Sequence, residues 1–556
     1  MLAYLYRGPR TYSLTLVAGL VLMLLASCTE RDTARQGTAS KSAASQHAVS
    51  NAAQKILLRG NGPEPDSLDP QRARNFESHN ILRDSYECLT AIGKDASPVP
   101  ALAQSWRRSA DGLHYGFQLR AAARWSNGDA VTADDVVAGL RRLVDPATAS
   151  EYAQLVDVIA NASDIIAGRK TAVTLGVSAP DPHTVLIELS RPAPYLPGLL
   201  AHPSTCPVHR PTLARFGAEF SKPANSVSNG AFVLREWSQG SSVLLVRNPY
   251  YWNNAATHVD GVRFIAFNDP GSEYMRYRAG ELHTTAVVPP SQFEQIRAQR
   301  PKELHIGPQL GVYFYGFILD REPFRSHPGL RRALSLAIDR ERLVATVTKL
   351  GELPAYGWVP PGTWNYGSQS FDYAVLPMPK KLAEARQLYA AAGYSAAKPL
   401  QFELRYNTGE LHSRLAVAIA GMWKASLGAQ ARLVAVEIKA LEQDISARQM
   451  DMFRLAWIGD YNDPYTFLQY LKTGYGINLP HYHSDDYDHL LTKAAAEPDV
   501  ALRRATLESA ERLMLADHPV IPLYFYVNKH LVSPRVSGWY DNVMNVLYSK
   551  DLDLGP

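Results

Sequence analysis

The chain has 556 residues, of which 46% are hydrophobic and 20% are charged, and its formal net charge at pH 7 is +4. A chain of this length exceeds what one hydrophobic core usually organises, so we expect two or three domains. The small net charge gives no electrostatic footprint for binding nucleic acid.

The N-terminus has the order of a secretory signal peptide. A short basic segment precedes an apolar run from Ser13 to Leu25, which is too short to span a membrane and ends in small residues. The segment Leu25-Ala26-Ser27-Cys28 resembles the lipobox of bacterial lipoproteins, in which the cysteine receives a lipid after cleavage. The alternative is an ordinary signal peptide with a chance cysteine. We therefore expect a signal peptide over residues 1–27 and lipidation of Cys28.

The first half of the mature chain mixes predicted strands and helices. Residues 28–54 are mostly small, polar or charged, which predicts a flexible tether, and order begins at Lys55. Apolar residues alternate with polar ones over 115–119, as in a half-buried strand. Thr132 precedes two aspartates and an apolar run, which predicts a capped helix. The turn and apolar run over 238–246 predict a hairpin.

In the second half, predicted strands and helices alternate more regularly. Strands are predicted over 311–319, 400–406, 429–437 and 452–458, and helices within 330–350, over 381–392 and 411–427, and in a segment that ends near 449. This β-α-β alternation predicts an open α/β sheet.

Motifs of catalysis and metal binding are missing from the sequence. There is no Gly-x-Ser-x-Gly, His-Glu-x-x-His, Walker or Cys-x-x-Cys motif. The histidines and aspartates over 481–489 have the residue types of metal ligands but no spacing that fixes them on one helical face. We therefore expect no enzyme, no metal site and no cofactor. Cys88 and Cys206 could form a disulfide in an oxidising compartment, but their separation does not decide whether they do.

The predicted strand 452–458 contains a positive charge, Arg454, and is followed by a negative charge, Asp460. Side chains at even separations share a face, so Arg454, Ala456, Ile458 and Asp460 should point together, with Trp457 on the opposite face. Arg454 and Asp460 would lie roughly 20 Å apart along an extended strand, with charged heads on the order of 10 Å apart. A short zwitterion could bridge that gap. The alternative is that both charges are solvated at the ends of the strand.

Several ordered segments resemble a known family. They are Pro65–Pro70, Leu102–Trp106, Trp125–Val136, Ser228–Phe232, Arg247–Asn254 and Pro354–Gly357. Together they are similar to the family 5 extracellular solute-binding proteins, most closely to the oligopeptide-binding proteins of Opp-type ABC importers. The resemblance covers nearly the whole mature chain.

The resemblance implies an α/β fold with mixed sheets in the two-lobed, three-domain type II periplasmic-binding-protein (Venus-flytrap) architecture. Domain I, in lobe one, would comprise 55–85, 211–311 and 528–556, with domain II over 86–210. Lobe two would be domain III over 312–527. A peptide would lie extended in the cleft between the lobes, held through its main chain like an added strand.

The resemblance also assigns roles to residues of the cleft. Asp460 would anchor the α-ammonium of the peptide, and Arg454 would bind the carboxylate of tripeptides. His412 would lie near the C-terminus of longer ligands. The backbone would pair with the peptide at Ala456, Ile458 and Phe76, and the aromatic residues near the site would be Tyr152, Trp457 and Tyr526.

Three departures from the family pattern concern the length and side chains of the ligand. Thr348, next to Lys349, replaces a lysine that helps to bind longer peptides, and Ile438 replaces a tryptophan of a side-chain pocket. Ile458 and Gly311 stand where the family has a disulfide in the cleft. These changes leave the two charged anchors in place.

The implied function is capture of short peptides by an exported lipoprotein, periplasmic or at the cell surface, that is anchored to a membrane through its lipid. The expected partners are an ABC permease and its ATPase subunits, and the protein would be a monomer. The alternatives are a receptor dedicated to cell-wall (murein) or signalling peptides and, less expected, a peptidase.

Overall fold

A computed structural model describes residues 54–555 of the chain. The predicted signal peptide over 1–27, the predicted lipidation site Cys28 and nearly all of the predicted tether lie outside the described residues. No helix within the described residues is long and apolar enough to cross a membrane.

Strands and helices are both plentiful in residues 54–555, which confirms the predicted α/β class. The strands are β1 Ile56–Gly60, β2 Thr90–Ile92, β3 Pro98–Pro100, β4 Ala103–Arg108, β5 His114–Leu119, β6 Val177–Asp181, β7 Thr184–Glu188, β8 Phe232–Ser238, β9 Ser242–Arg247, β10 Gly261–Ile265, β11 Leu304–Phe317, β12 Leu353–Pro354, β13 Gln401–Asn407, β14 Gln430–Val436, β15 Met452–Ile458, β16 Val520–Leu531, β17 Val536–Ser537 and β18 Asp553–Leu554. The α-helices are α1 Phe76–Ser85, α2 Ala133–Val144, α3 Ala162–Ile166, α4 Leu196–Leu199, α5 Arg210–Phe216, α6 Pro270–Arg278, α7 Phe293–Gln299, α8 Pro328–Leu336, α9 Arg340–Leu343, α10 Met378–Ala391, α11 Glu410–Leu427, α12 Ile438–Ser446, α13 Tyr465–Leu468, α14 Asp485–Ala496 and α15 Val500–Asp517.

Two four-stranded sheets occupy the first half of the described chain. One has the order β1-β10-β9-β8 and contains the predicted hairpin, β8–β9; the other has the order β4-β5-β7-β6. Helix α2 packs against the second sheet. It begins as predicted after Thr132, whose backbone N–H donates to the Asp135 carboxylate at 3.0 Å. This bond satisfies one of the amide groups that a helix N-terminus leaves without a partner.

A six-stranded mixed sheet dominates the second half, in the order β12-β16-β11-β15-β13-β14. Strands β13 and β14 are parallel and are joined by α11, and β15 runs antiparallel to β11. Strand β15 has the predicted bounds. Strand β11 begins seven residues before the predicted start at Gly311, because Gly307 and Pro308 look like a loop in the sequence but continue the strand.

Strands β11 and β16 extend beyond the six-stranded sheet. Their pairing has two parts: 304–308 pairs with 527–531, and 312–316 pairs with 520–525, with a register shift between Pro308 and Val312. Leu531 at the far end belongs to a separate buried cluster that includes Tyr274 and Ile296. The two strands therefore connect that cluster with the main sheet, and their pairing is irregular at the junction.

Four buried apolar clusters lie within the described residues. Separate clusters pack on the six-stranded sheet, on the β4–β7 sheet and on the β1–β10 sheet, and the fourth surrounds Tyr274. This distribution is compatible with the three predicted domains, whose boundaries remain a prediction. Cys88 and Cys206, left undecided by the sequence, form a disulfide that belongs to the cluster on the β4–β7 sheet.

Glu273 gives the fold a pH-dependent stability. Its side chain is buried; Oε1 accepts a hydrogen bond from the Ala286 amide at 2.6 Å, whereas Oε2 has no partner within the described residues. Burial raises the pKa of this carboxyl from 4.5 to about 7. Between these two pH values the unfolded chain has lost the proton that the folded chain keeps, so stability falls as pH rises through this range.

We expect Glu273→Gln to remove this pH dependence. The difference in unfolding free energy between the variant and the natural chain should grow in favour of the variant by up to about 3 kcal/mol from pH 4 to pH 8. Denaturant titrations at both pH values measure it. Glu294→Gln, at an exposed ion pair, is the matched control and should show no such trend. A constant difference for Glu273→Gln would contradict the assignment.

Candidate functional site

The central strands of the six-stranded sheet present one shared face. Strand β15 pairs with β11 so that Arg454 lies opposite Tyr315, Ala456 opposite Tyr313 and Ile458 opposite Gly311. Directly opposed residues of an antiparallel pair point to the same side of the sheet. This face, defined by Arg454, Ala456 and Ile458 and their three partners, is called the β15 face below.

Arg454 is a buried cation on the β15 face. The residue is 7% exposed, Nη1 donates to Asn407 Oδ1 at 2.8 Å, and the guanidinium carbon lies 4.2 Å from the centre of the Tyr313 ring. Within residues 54–555 no carboxylate lies within ion-pair distance of it, and its Nε–H has no acceptor. Buried charges are normally paired, so the surroundings of Arg454 favour an anionic ligand.

His412 lies beside this cation on the first turn of α11. Its Nδ1 and the Tyr313 hydroxyl are hydrogen-bonded at 3.2 Å. Burial and the nearby Arg454 charge lower the pKa of His412 from 6.5 to about 4. The imidazole is therefore neutral near pH 7, and it adds a hydrogen-bonding group to the site without adding a second positive charge.

Asp460 follows the end of β15 and supplies the opposite charge. The Gly459 amide donates to the Leu310 carbonyl at 2.8 Å, which keeps the chain against β11 up to this point. The Asp460 side chain is half-buried, and burial raises the pKa of its carboxyl. No cationic side chain of the described residues forms an ion pair with it. A partly desolvated carboxylate in this position favours a cationic ligand group.

The loop after Asp460 is fixed from two sides. Arg503 of α15 donates two hydrogen bonds to the Asp463 carboxylate, at 2.7 and 2.8 Å, and both side chains are almost fully buried. The Tyr461 ring stacks on Tyr195 with centroids 4.4 Å apart, and Asn462 Nδ2 donates to the Ala96 carbonyl at 3.0 Å. The loop therefore joins the six-stranded sheet to the part of the chain that carries the β4–β7 sheet.

Part of the backbone edge of β15 is left without a neighbouring strand. Strand β13 pairs with β15 at two positions, Leu404 with Met452 and Arg405 with Phe453. Strand β15 continues along β11 for five more residues to Ile458. On the side facing away from β11, the segment 454–458 is thus open to pairing with another extended chain.

The other predicted site residues are distributed over two faces of the sheet and over other elements. Tyr526 lies on β16 next to the β15 face, with its ring 5.3 Å from that of Tyr524. Trp457 points to the opposite side: it is 6% exposed, packs in the core and donates its indole N–H to the Thr466 carbonyl at 3.0 Å. The Trp457 side chain therefore packs on the side of the sheet opposite the β15 face. From there the indole supports the sheet and does not form part of the β15 face.

Phe76 and Tyr152 lie close to each other on elements outside the six-stranded sheet. Phe76 is the first residue of α1 and is 44% exposed. The Tyr152 hydroxyl donates to the carbonyl of Arg74, two residues before Phe76, at 3.3 Å, and its ring packs on His202 at 4.4 Å. Their predicted contact with a ligand remains a prediction.

Sequence reasoning missed Asn407 and Tyr313, which contact Arg454 directly. Asn407 is the last residue of β13, and its position depends on the strand order β15-β13, which no local pattern encodes. Tyr313 is one of several tyrosines in an apolar strand, where a core role is the ordinary expectation. The cross-strand pairing of Tyr313 with Ala456 is what brings it to Arg454.

The pair Gly311–Ile458 and the histidine-rich segment 481–489 have well-defined neighbours in the structure. Gly311 and Ile458, the positions where the family resemblance implies a cleft disulfide, are cross-strand partners, and a Cβ at Gly311 would lie 2.4 Å from Ile458 Cδ1. The bulky isoleucine thus requires the glycine opposite. Across the described residues no group of three His, Cys, Asp or Glu side chains could hold a metal ion. His481 lies next to a carboxylate, with its Nδ1 3.2 Å from Asp320 Oδ2.

Comparisons with known proteins connect this site to a family. The family description "Bacterial extracellular solute-binding proteins, family 5 Middle" matches residues 97–478. The periplasmic oligopeptide-binding protein OppA of Escherichia coli (strain K12) is 37% identical over 494 residues, which cover 88% of this chain and 91% of that protein.

Two solved structures are similar to the whole described fold. The unliganded open form of the periplasmic murein tripeptide-binding protein MppA is 34% identical, with a TM-score of 0.86, over 90% of this chain and 98% of that one. OppA of Haemophilus influenzae in complex with RPPGFSPFR is 33% identical, with a TM-score of 0.69, over 90% and 99%. These matches confirm the predicted periplasmic-binding-protein fold class.

We expect the buried ion pair of Asp463 with Arg503 to contribute strongly to the unfolding free energy. Asp463→Asn should lower the unfolding free energy by about 3 to 5 kcal/mol, because it leaves the Arg503 charge buried without a counter-charge. Denaturant unfolding measures the loss. Asp164→Asn, at an exposed ion pair with Arg169, is the matched control and should leave the unfolding free energy nearly unchanged, because solvent screens exposed ion pairs. Equal effects of the two substitutions would show that the buried pair does not fix the loop.

Proposed function

This chain is a member of family 5 of the bacterial extracellular solute-binding proteins, and we propose that it captures short oligopeptides for an ABC importer. The family binds solutes and is not a family of enzymes, so the peptidase alternative is excluded. The ligand would lie extended along β15, bound through its backbone and its two charged termini, and would then pass to a permease with ATPase subunits.

The observation that carries this proposal is the pair of unpaired, opposite charges on strand β15 and just beyond its end. Arg454 is buried without a carboxylate among the described residues, and the Asp460 carboxylate is likewise without a cation. A peptide of few residues has a free ammonium and a free carboxylate separated by an extended backbone. Asp460 would bind the ammonium and Arg454 the carboxylate of a tripeptide, through charge-assisted hydrogen bonds.

The open edge of β15 supplies the third element of a peptide site. An extended ligand beside residues 454–458 could exchange backbone hydrogen bonds with Ala456 and Ile458, as a further strand of the sheet would. All peptides have this ladder of amides and these termini. Affinity can therefore come from groups common to every peptide, while side chains occupy hydrated pockets that reject few of them.

The remaining predicted residues would determine which peptide lengths the site binds. His412, next to Arg454, would contact the C-terminal part of longer peptides, and Phe76, Tyr152 and Tyr526 would border the ligand. Thr348 in place of a lysine favours short peptides, since it removes one cation that could meet a more distant carboxylate. Trp457 would act from behind the sheet.

Closure of the cleft would follow ligand binding. The closer similarity to an unliganded open form (TM-score 0.86) than to a peptide complex (0.69) supports an open arrangement in this structure. The irregular pairing of β11 with β16 between Pro308 and Val312 provides a place where the two parts of the strand pair can bend relative to each other.

A receptor dedicated to murein peptides is the second candidate, because the periplasmic murein peptide-binding protein MppA of Escherichia coli (strain K12) is 34% identical over 499 residues, nearly as similar in sequence as OppA. A signalling-peptide receptor is the other variant of this idea. Mass spectrometry of ligands that co-purify with the protein distinguishes these possibilities. A mixture of unrelated short peptides supports general capture, whereas a single murein peptide or a single signalling peptide supports a dedicated receptor.

Lipidation at Cys28 completes the proposal. The order Leu25-Ala26-Ser27-Cys28 supports it, although Cys28 lies outside the described residues. A lipid on the first residue of the mature protein, followed by the tether 28–54, would hold the binding part at a membrane surface on the periplasmic or outer side. The protein would work there as a monomer.

Asp460→Asn tests the anchor. The substitution should weaken binding of a free tripeptide at least about 100-fold, because it leaves the ligand ammonium without a counter-charge in a partly desolvated place. Titration calorimetry measures the loss. Asp485→Asn, at an exposed side chain, is the control and should bind normally. An N-acetylated tripeptide should bind the natural chain and Asp460→Asn equally poorly, and unchanged affinity of Asp460→Asn for the free tripeptide would refute the assignment.

Cys28→Ser tests the lipid anchor. The natural protein should sediment with membranes and label with radioactive palmitate, whereas the variant should be soluble and unlabelled, since serine cannot form the thioether to the lipid. Fractionation of cells that express each form measures this difference. Membrane retention of the variant would count against the anchor and would leave the peptide site unaffected.

A further inference from the structure

Ile458 is an apolar side chain that is exposed within the proposed peptide site. It is 43% exposed, the most exposed residue of β15, whereas Arg454 on the same face is 7% exposed. Ile458 lies four residues after Arg454 and two before Asp460. Because side chains at even separations share a face of a strand, Ile458 lies between the two charges and nearer to Asp460.

Gly311 allows the Ile458 side chain to lie flat on the sheet. A Cβ at Gly311 would lie 2.4 Å from Ile458 Cδ1 and 3.1 Å from Tyr526 Cδ2, so both side chains occupy the space that a larger residue would take. On β15 itself, Ala456 adds only a methyl group to this surface. The β15 face between its two charges is therefore apolar, and we call this part of it the Ile458 patch (Ile458, Ala456, Gly311 and the Tyr526 ring).

The hydroxyl group of Tyr526 points toward the Arg454 end of the face. Burial raises the pKa of Tyr526, while the Arg454 charge and a hydrogen bond with Tyr524 oppose the rise, so the hydroxyl lies near those two residues. The part of the ring that lies near Gly311 is the carbon Cδ2. The Ile458 patch thus offers carbon atoms to a ligand, and a polar side chain placed on it would lose water without gaining a hydrogen bond.

The open edge of β15 determines which ligand side chain reaches the patch. An extended peptide that pairs with residues 454–458 has one residue opposite Ile458. Paired strands lie about 4.8 Å apart and opposed residues point to the same face, so that side chain is a direct neighbour of Ile458. Ile458 is roughly 7 Å along the strand from Asp460. A ligand whose ammonium is bound by Asp460 therefore places its first or second residue there.

We propose that Ile458 makes the site select short peptides whose first or second side chain is aliphatic or aromatic. This inference rests on the proposed capture of peptides between Asp460 and Arg454, and it adds one selective position to a site whose other side-chain pockets are hydrated. An apolar side chain that covers Ile458 removes the exposed surface of both groups from water. A polar side chain of the same size forfeits this gain and loses part of its own hydration.

Titration calorimetry with ligands of equal shape tests this preference. Valine and threonine are both β-branched and differ by a methyl group in place of a hydroxyl group. The full chain in detergent is titrated with alanine tripeptides that carry valine or threonine at position one, two or three. The valine peptide should bind about tenfold more tightly than the threonine peptide at position one or two. At position three, which lies toward Arg454, the two peptides should bind alike.

Two variants with similar side-chain shapes test whether Ile458 is responsible. Ile458→Val keeps an apolar surface and should keep the preference for valine, whereas Ile458→Thr should abolish it. The two side chains on the protein and the two on the ligand form a double-mutant cycle, in which general effects on folding and affinity cancel. Val173→Thr, at a 65% exposed side chain in the segment before β6, is the control and should leave the preference unchanged.

The outcomes distinguish a failure of this inference from a failure of the proposed function. Equal affinities of the valine and threonine peptides at both of the first two positions overturn the preference and leave peptide capture in place. A valine preference that Ile458→Thr retains overturns the assignment to Ile458. Failure of every free tripeptide to bind contradicts peptide capture, and the selective position with it.

Discussion

The antiparallel pairing of β11 with β15 is the interaction on which the site depends. It places Arg454, Ala456 and Ile458 on one face, brings Tyr313 and Tyr315 beside the guanidinium, and carries the chain straight to Asp460. The same strand β11 pairs on its other side with β16, and both extend to the buried cluster around Tyr274. Strand β11 therefore positions the residues of the β15 face and connects this face with the buried cluster around Tyr274.

Electrostatics explains why Arg454 and Asp460 have no charged neighbours of opposite sign among the described residues. A carboxylate among the protein's own side chains next to Arg454 would compete with the ligand, and a lysine next to Asp460 would do the same. The protein instead surrounds Arg454 with phenols, an amide and a neutral imidazole. Such an arrangement costs stability in the empty state, because buried charges without counter-charges are unfavourable, and it reserves the strongest interactions for the ligand.

Local sequence patterns predicted much of this arrangement. The period-2 pattern fixed the bounds of β15, the separation of its two faces and the position of Trp457 on the far side, because each of these follows from residues adjacent in sequence. The role of Asp460 as an ammonium anchor came from family resemblance and remains a prediction. The contacts of Asn407 and Tyr313 could not be predicted, since they depend on strand order and register across the sheet. The early start of β11 was missed because Gly307 and Pro308 are poor strand formers whose conformation is set by tertiary pairing.

The open edge of β15 also bears on how the protein avoids associating with itself. A free strand edge is a template for aggregation, and exported proteins fold near other extended chains. Here the edge is five residues long, with a buried arginine at one end and a carboxylate beyond the other. An internal segment of another polypeptide has neither terminus to offer these charges, so it would bury them without compensation. The geometry that would select short free peptides would thereby reject longer chains, including copies of this protein.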